Sequence, residues 1–319
     1  MVTTTPTAQR KLAHRLDGFV REMRRNKYLY LLAVPGAVFI IVFSYIPMSG
    51  HLIAFKSLQW SKGILFSPWV GFDNFRFLFM NPDWLRVTVN TLYLNALFMV
   101  FALSFALLIA LLLNELRSLA FKRVSQSLIF LPYFISWMVV SFMIFTIFNS
   151  NNGIANSLLT SVGRESVSWY NEPSVWPAIL IVMYVWKIAG YYSVIMLSAI
   201  TGISGELYES ARIDGATRLQ QALYITVPLI RRTVIILALL AIGRIFFGDF
   251  GMFYSIIGDN AILYPTTDVI DTFAYRALRK LGNFGMASSV SLYQSALGLI
   301  TVVGFNALVR RVEEGAELF

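Results

Sequence analysis

The side chains that could do chemistry in this 319-residue chain fall into two groups. Glu206, Glu209 and Asp214 make an acidic segment that passes through Ser210 and Ala211 and ends at Gly215; after nine intervening residues comes Ile225-Thr226-Val227-Pro228. This polar, glycine-hinged stretch lies between two long apolar runs, an arrangement suited to gripping another protein. The second group is Lys187, Arg244 and Asp249, each inside an apolar run. Burying such charges at mid-membrane is costly, and they usually face a cavity or a partner.

Two readings stand for Lys187 and Arg244: pairing with carboxylates or backbone carbonyls, or lining a path through the membrane. Asp249 is five residues beyond Arg244, off the same face of a regular helix, although Gly243, Gly248 and Gly251 can loosen the backbone. Phe246, Phe250 and Phe253 recur at i, i+4 and i+7, and Tyr133, Trp137, Tyr184, Trp186, Tyr191 and Tyr192 crowd neighbouring runs. Such rings serve either helix packing and interfacial anchoring or the stacking of a planar or ring-shaped ligand. Other chemistries are poorly supplied. The absence of cysteine excludes disulfides and thiolate metal sites, and two histidines, His14 and His51, cannot form a metal cluster or a triad. No Gly-x-x-x-x-Gly-Lys-Ser/Thr loop is present to cradle ATP phosphates, so any uphill work draws its energy from another subunit.

The elements that position these groups follow from composition. Hydrophobic residues make up 57% of the chain and charged residues 13%, which no soluble domain could cover. A span needs about 20 apolar residues. Six runs meet that length: Tyr28 to Met48, Thr88 to Leu113, Leu128 to Phe148, Val175 to Ile200, Thr233 to Ile257 and Ala287 to Val309. The first is too long for a signal h-region and lacks a small-residue cleavage site, so it reads as a retained span. Sixteen Lys and Arg residues lie on one side of this topology and eight on the other. Both termini are therefore predicted to be cytoplasmic: the basic segment 1–27, the loop 201–232 and the tail 310–319 share that side of the six-span domain 28–309. Basic juxtamembrane residues and anionic lipid account for the net charge of +9 without any nucleic acid.

Within the loop, Ser204 is a good N-cap for a short helix from Gly205 to about Asp214, with Glu206 and Glu209 near the positive end of its dipole. Gly215 supplies the break, a second amphipathic stretch runs from Ala216 to Val227, and Pro228 starts the next turn or kinks the entry to the fifth span.

The run Glu209-Ser210-Ala211-x3-Gly215-x9-Ile225-x-Val227-Pro228 resembles the EAA loop of ABC-importer permeases, with Ser210 and Val227 as conservative departures. The segments Leu112-Leu113-Asn114-Glu115, Leu131 to Trp137 and Asp268 to Arg276 are similar to LplB-type carbohydrate permeases, a likeness that covers most of residues 28 to 311. The resemblance implies an all-α polytopic membrane protein, of the type I ABC importer permease fold, in the bacterial cytoplasmic membrane. It implies a transport subunit rather than an enzyme, working with a second homologous permease, two ATPase subunits that hold ATP and Mg, and an extracytoplasmic substrate-binding protein. Glu206, Glu209, Ser210, Ala211, Asp214, Gly215 and Pro228 would then couple to an ATPase. Lys187, Arg244, Asp249, Trp137, Tyr184, Tyr191, Phe246 and Phe250 are the candidate lining of a substrate path, whose cations would suit an acidic sugar such as a uronate oligomer. No cofactor or metal is expected on this chain. A membrane-embedded enzyme would have to rest on Asp259, Asp268 and Asp271, and a self-sufficient carrier would show inverted repeats; neither pattern fits as well.

Overall fold

The computed structural model describes residues 22, 25–80 and 82–312. Arg10, Lys11, His14, Arg15, Arg21 and Arg24 of the basic N-terminal segment lie outside the described residues, as do residues 313–319 of the tail. Among the described residues the chain is helical and has no strand; an isolated bridge pairs Lys56 with Trp69.

The helices that matter are, in chain order, α1 (Lys27–Phe55), α2 (Asp83–Asn114), α3 (Leu119–Phe134), α4 (Trp137–Phe148), α5 (Pro173–Thr201), α6 (Gly205–Ile213), α7 (Arg218–Leu229), α8 (Arg231–Ile242), α9 (Phe250–Ile257), α10 (Ile270–Arg279) and α11 (Phe284–Arg311). By length and composition α1, α2, α5 and α11 can each cross a membrane unaided. The pairs α3–α4, bent by 95°, and α7–α8, bent by 59°, bring the number of candidate spans to six if each counts as one.

Two expected spans are therefore not single helices. Leu128 to Phe148 divides at Leu131–Phe134, a tight turn containing Pro132, and Ser136 restarts the helix by accepting the Val139 N–H at 3.3 Å. Thr233 to Ile257 divides as well: α8 ends at Ile242, residues 243–249 are not α-helical, and α9 begins at Phe250. Backbone that leaves the helix at membrane depth needs new partners from within the protein. At the first break Lys187 supplies them, its ammonium donating to the carbonyls of Pro132 (3.2 Å), Tyr133 (2.8 Å) and Ile135. At the second, Asn95 donates to the Ile245 carbonyl at 2.8 Å and Gln294 to the Phe246 carbonyl at 2.7 Å. The Gly248 N–H donates to Asp271 at 2.6 Å, and Asp249 caps α9 by accepting the Met252 N–H at 3.1 Å.

Packing follows side-chain size. Ala102, Ala106 and Ala110 are fully buried at four-residue spacing on α2, and Ala106 and Ala110 share a cluster with Ala189, Met196 and Leu197 of α5 and Leu237 of α8. Small residues let helix backbones approach in a medium where apolar burial gives little drive. Gly190 takes this furthest, since a Cβ there would run into the Ile129 carbonyl. α1 is the exception, with its most apolar stretch exposed on every side.

The two ends of the bundle are distinct. Glu115 after α2 and Arg218 at the start of α7 meet at 2.5 Å, so these two loops share one end. At the other end Asn260 donates to the Tyr170 carbonyl at 2.7 Å, and Thr266 to that of Pro173 at 2.6 Å. Replacing Lys187 with Met should withdraw the charged donor from three carbonyls, at about 1–3 kcal/mol for each buried group left short of a partner. We expect a clearly lower thermal-unfolding midpoint in detergent; an unchanged midpoint would mean that the break is held by other means.

Candidate functional site

The two broken spans face each other across a cavity of about 710 Å³. Asn95 and Phe98 of α2 line it, with Tyr133 and Trp137 from the α3–α4 break, Tyr184, Lys187, Tyr191 and Tyr192 of α5, and Arg244, Asp249 and Phe250 from the α8–α9 break. Seven of the eight expected path residues thus converge on one space. Phe246 does not: it is buried with Val87, Ile270, Phe273 and Met286, because the break at residue 243 destroys the helical register that placed it in line with Phe250. Phe253 likewise packs in a third environment, beside Leu94 and Trp176.

Within the cavity the polar groups are unequally occupied. Lys187 is 6% exposed and spends its donors on backbone carbonyls, with Trp137 stacked 5.3 Å from its ammonium. Lys187 thus pairs with backbone carbonyls while it also lines the cavity. Asp249 accepts the Trp137 indole N–H at 2.5 Å with one oxygen while the other caps α9, which ties the two breaks together across the cavity. Arg244 is exposed and lines the same space. Ring faces complete the wall: Tyr133 stacks on Tyr191 at 4.7 Å and Phe98 on Tyr184 at 4.6 Å, each pair within 13° of parallel. This combination of flat apolar faces, phenol hydroxyls and one open guanidinium suits a polyhydroxylated ring compound that carries hydrogen-bond acceptors.

Asn95 and Gln294 were missed in the sequence, and Asp271 was noted there without the role it has; all three serve the backbone of the second break. Asn95 and Gln294 carry a readable signal, a primary amide inside an apolar span. Asp271 does not, because its partner, Gly248, lies 23 residues away.

At the opposite face of the inner helices, α6 and α7 form an elbow. Ser204 accepts the Glu206 N–H at 3.3 Å, and α6 closes with a double turn in which Ala216 N–H donates to the Ala211 carbonyl (2.8 Å) and Gly215 N–H to that of Arg212 (3.1 Å). Gly215 has φ +81°, the left-handed conformation that this closure requires. Thr217 and Gln220 form a reciprocal capping box that starts α7, and the Tyr208 and Thr226 hydroxyls meet at 2.9 Å to brace α6 against it. Pro228 lies within α7, and the break to α8 comes at Ile230. Glu206, Glu209, Ser210, Asp214 and Gly215 are exposed, as are the apolar side chains of Ile213 (87%) and Tyr224 (77%). Ala211, Asp214, Gly215 and Tyr224 line a groove of about 370 Å³ beneath the elbow.

Residues 99–314, which contain the elbow and the cavity lining apart from Asn95 and Phe98, match the family model described as binding-protein-dependent transport system inner membrane component. The chain belongs to this family. It is a multi-pass inner-membrane transport subunit, and the family's members are components of transporters rather than enzymes. Protein LplB of Bacillus subtilis is 35% identical over 92% of this chain and 91% of its own length. The polygalacturonan/rhamnogalacturonan transport system permease protein YteP of the same organism is 36% identical over 91% and 90%. Among solved structures, a chain of a bacterial ABC transporter involved in import of the acidic polysaccharide alginate superposes with a TM-score of 0.85 at 31% identity, covering 93% of this chain and 99% of its own. The same likeness, with a TM-score of 0.83, extends to the alginate transporter in complex with an alginate pentasaccharide-bound periplasmic protein.

The Trp137 to Asp249 tie has a local consequence. Trp137→Phe keeps an aromatic ring and removes the donor; with about 1 kcal/mol of hydrogen bonding lost, amide exchange at Met252 should accelerate roughly fivefold. Mass-spectrometric exchange on the purified complex would read this directly, and an unaltered rate would show that α9 is capped independently of Trp137.

Proposed function

We propose that this chain forms one half of the translocation path of an ATP-driven importer of oligosaccharides, with the α6–α7 elbow as its connection to the motor. The observation that carries the reading is the convergence of the two broken spans on a single aromatic and polar cavity, joined through α8 to an exposed, glycine-hinged elbow. The relatives named above that handle polygalacturonan, rhamnogalacturonan and alginate support a carbohydrate cargo. In the assembled transporter a second, homologous permease completes the path, two ATPase subunits bind ATP and Mg, and an extracytoplasmic binding protein delivers the sugar at the end carrying Tyr170, Asn260 and Thr266. Both termini and the loop 201–232 are then cytoplasmic. This chain itself binds no cofactor.

In the elbow, Glu206 and Glu209 offer carboxylates to the ATPase surface, Ile213 supplies the apolar contact beside them, and Ser210 and Ala211 keep the contact face small. Asp214 and Gly215 set the angle between α6 and α7, and Pro228 shapes the inner end of the span that receives the motion. A stiff, braced elbow converts closure of the ATPases into rotation of α8, and so into a change at the cavity.

Gly215→Pro cannot adopt a positive φ, and Glu209→Lys reverses charge at the docking face. Both should insert normally and abolish ATP-driven uptake and substrate-stimulated ATP hydrolysis in proteoliposomes. Gly215→Ala, which strains the turn by about 1 kcal/mol, should retain partial activity. Normal uptake by both severe variants would remove the elbow from the coupling route.

A further inference from the structure

The cavity holds three charged side chains, Lys187, Arg244 and Asp249, and the structure sorts them by how completely each is used. Lys187 is buried and points its ammonium at the carbonyls of the α3–α4 break. Asp249 is held by the Trp137 indole and the Met252 amide. Asp271, the carboxylate behind this segment, faces the Gly248 N–H and the Gln294 amide and does not line the cavity. Arg244 differs from all of these. It stands in the non-helical segment that follows α8 and is exposed within the cavity near the Tyr184 and Tyr192 phenols; its backbone is bonded to Ala241 and Phe247, while its guanidinium has no hydrogen bond or ion pair among the described residues.

A guanidinium at membrane depth is costly unless water or an anion meets it. Its planar fork matches a carboxylate in two parallel hydrogen bonds, which an ammonium cannot reproduce. The lining carries two cationic side chains against one carboxylate, and among the described residues the charged donor of that lining left open to a ligand is the guanidinium of Arg244. We infer that Arg244 is a specificity-determining residue that binds a carboxylate of the passing sugar, and that the cargo is a uronate-containing oligosaccharide rather than a neutral one. The aromatic faces of Tyr133, Tyr191 and Tyr184 would hold the sugar rings while Arg244 reads the acid group. This inference rests on the assignment of the cavity as the path proposed above, and it narrows the substrate class for that path.

The chain has no cysteine, so one introduced thiol reports on the cavity without background from this subunit. In the assembled complex in nanodiscs, Ile195→Cys at the cavity wall is labelled with anionic methanethiosulfonate ethylsulfonate or cationic methanethiosulfonate ethylammonium and followed by the intact mass of this chain. With Arg244 present the anionic reagent should react about tenfold faster, relative to a free thiol standard, than the cationic one, and Arg244→Gln should remove that preference. A galacturonate pentamer should protect the thiol, and its carboxyl-reduced, neutral counterpart should protect roughly tenfold to a hundredfold less, the range of one charge-assisted hydrogen bond. Arg244→Lys should keep the reagent preference and lose most of the protection, which separates bidentate recognition from charge alone.

Equal reagent rates with Arg244 in place would mean that a carboxylate from the second permease neutralises it, and this would overturn the inference. Equal protection by the acidic and neutral pentamers, or protection by neither, would overturn it too. Failure of the transport reading has a different signature: ATP-dependent uptake would be insensitive to changes in the elbow, whatever the reagent preference in the cavity.

Discussion

A polypeptide that leaves the helix inside a membrane must find hydrogen-bond partners within itself, and that requirement organises this protein. At the α3–α4 break the partner is one lysine reaching three carbonyls; at the α8–α9 break it is a set of amides and carboxylates drawn from α2, α10 and α11. The arrangement does two things at once. It holds sharply bent backbone at depth, and it leaves the inner faces of both bends free to form the wall of a cavity. A straight helix at either position would present only its side-chain stripe and would close the space.

The same partners link elements distant in sequence. Asp249 belongs to one break and Trp137 to the other, so the cavity has a strut across it. Gln294 binds both the Phe246 carbonyl and Asp271, which fastens α11 to the second break. At the inner end the braced elbow leads through Ile230 directly into α8, whose far end is that break. A displacement of α6 has therefore a short, stiff route to the cavity: the Tyr208–Thr226 contact, the bend at Ile230 and the three turns of α8. Surface ion pairs such as Arg218 with Glu115, both well exposed, contribute about 0–1 kcal/mol and serve to register the loops rather than to hold them.

Much of this was legible in the residues. The acidic helix after Ser204, its closure at Gly215 and a second helix beyond it follow from capping preferences that act within a few residues, and they stand as read. Lys187, Arg244, Asp249 and the aromatic side chains could be singled out by charge at depth and ring type, and it is the packing that brings them around one cavity. The misreadings share one cause. Leu128 to Phe148 and Thr233 to Ile257 are apolar enough to span as straight helices, and local propensity gives no sign that Lys187, Asn95 or Gln294, all far away in sequence, will satisfy a broken backbone. Phe246 was placed with Phe250 by helical spacing, and that spacing has no meaning across a segment that is not helical.

What the sequence determined by itself is everything set by neighbours along the chain and by the solvent it must enter: a helical membrane protein, the number of its apolar runs, and the hinged elbow. The tertiary structure alone decided which runs bend, which cation is consumed and which stays open, and that Phe246 belongs to the core. These outcomes depend on hydrogen bonds between groups far apart in sequence, 150 residues in the bond from Asn95 to Ile245. Such bonds form only once the helices have packed, because in a medium without water the strongest available partner for a freed carbonyl is whichever polar side chain the packing brings beside it.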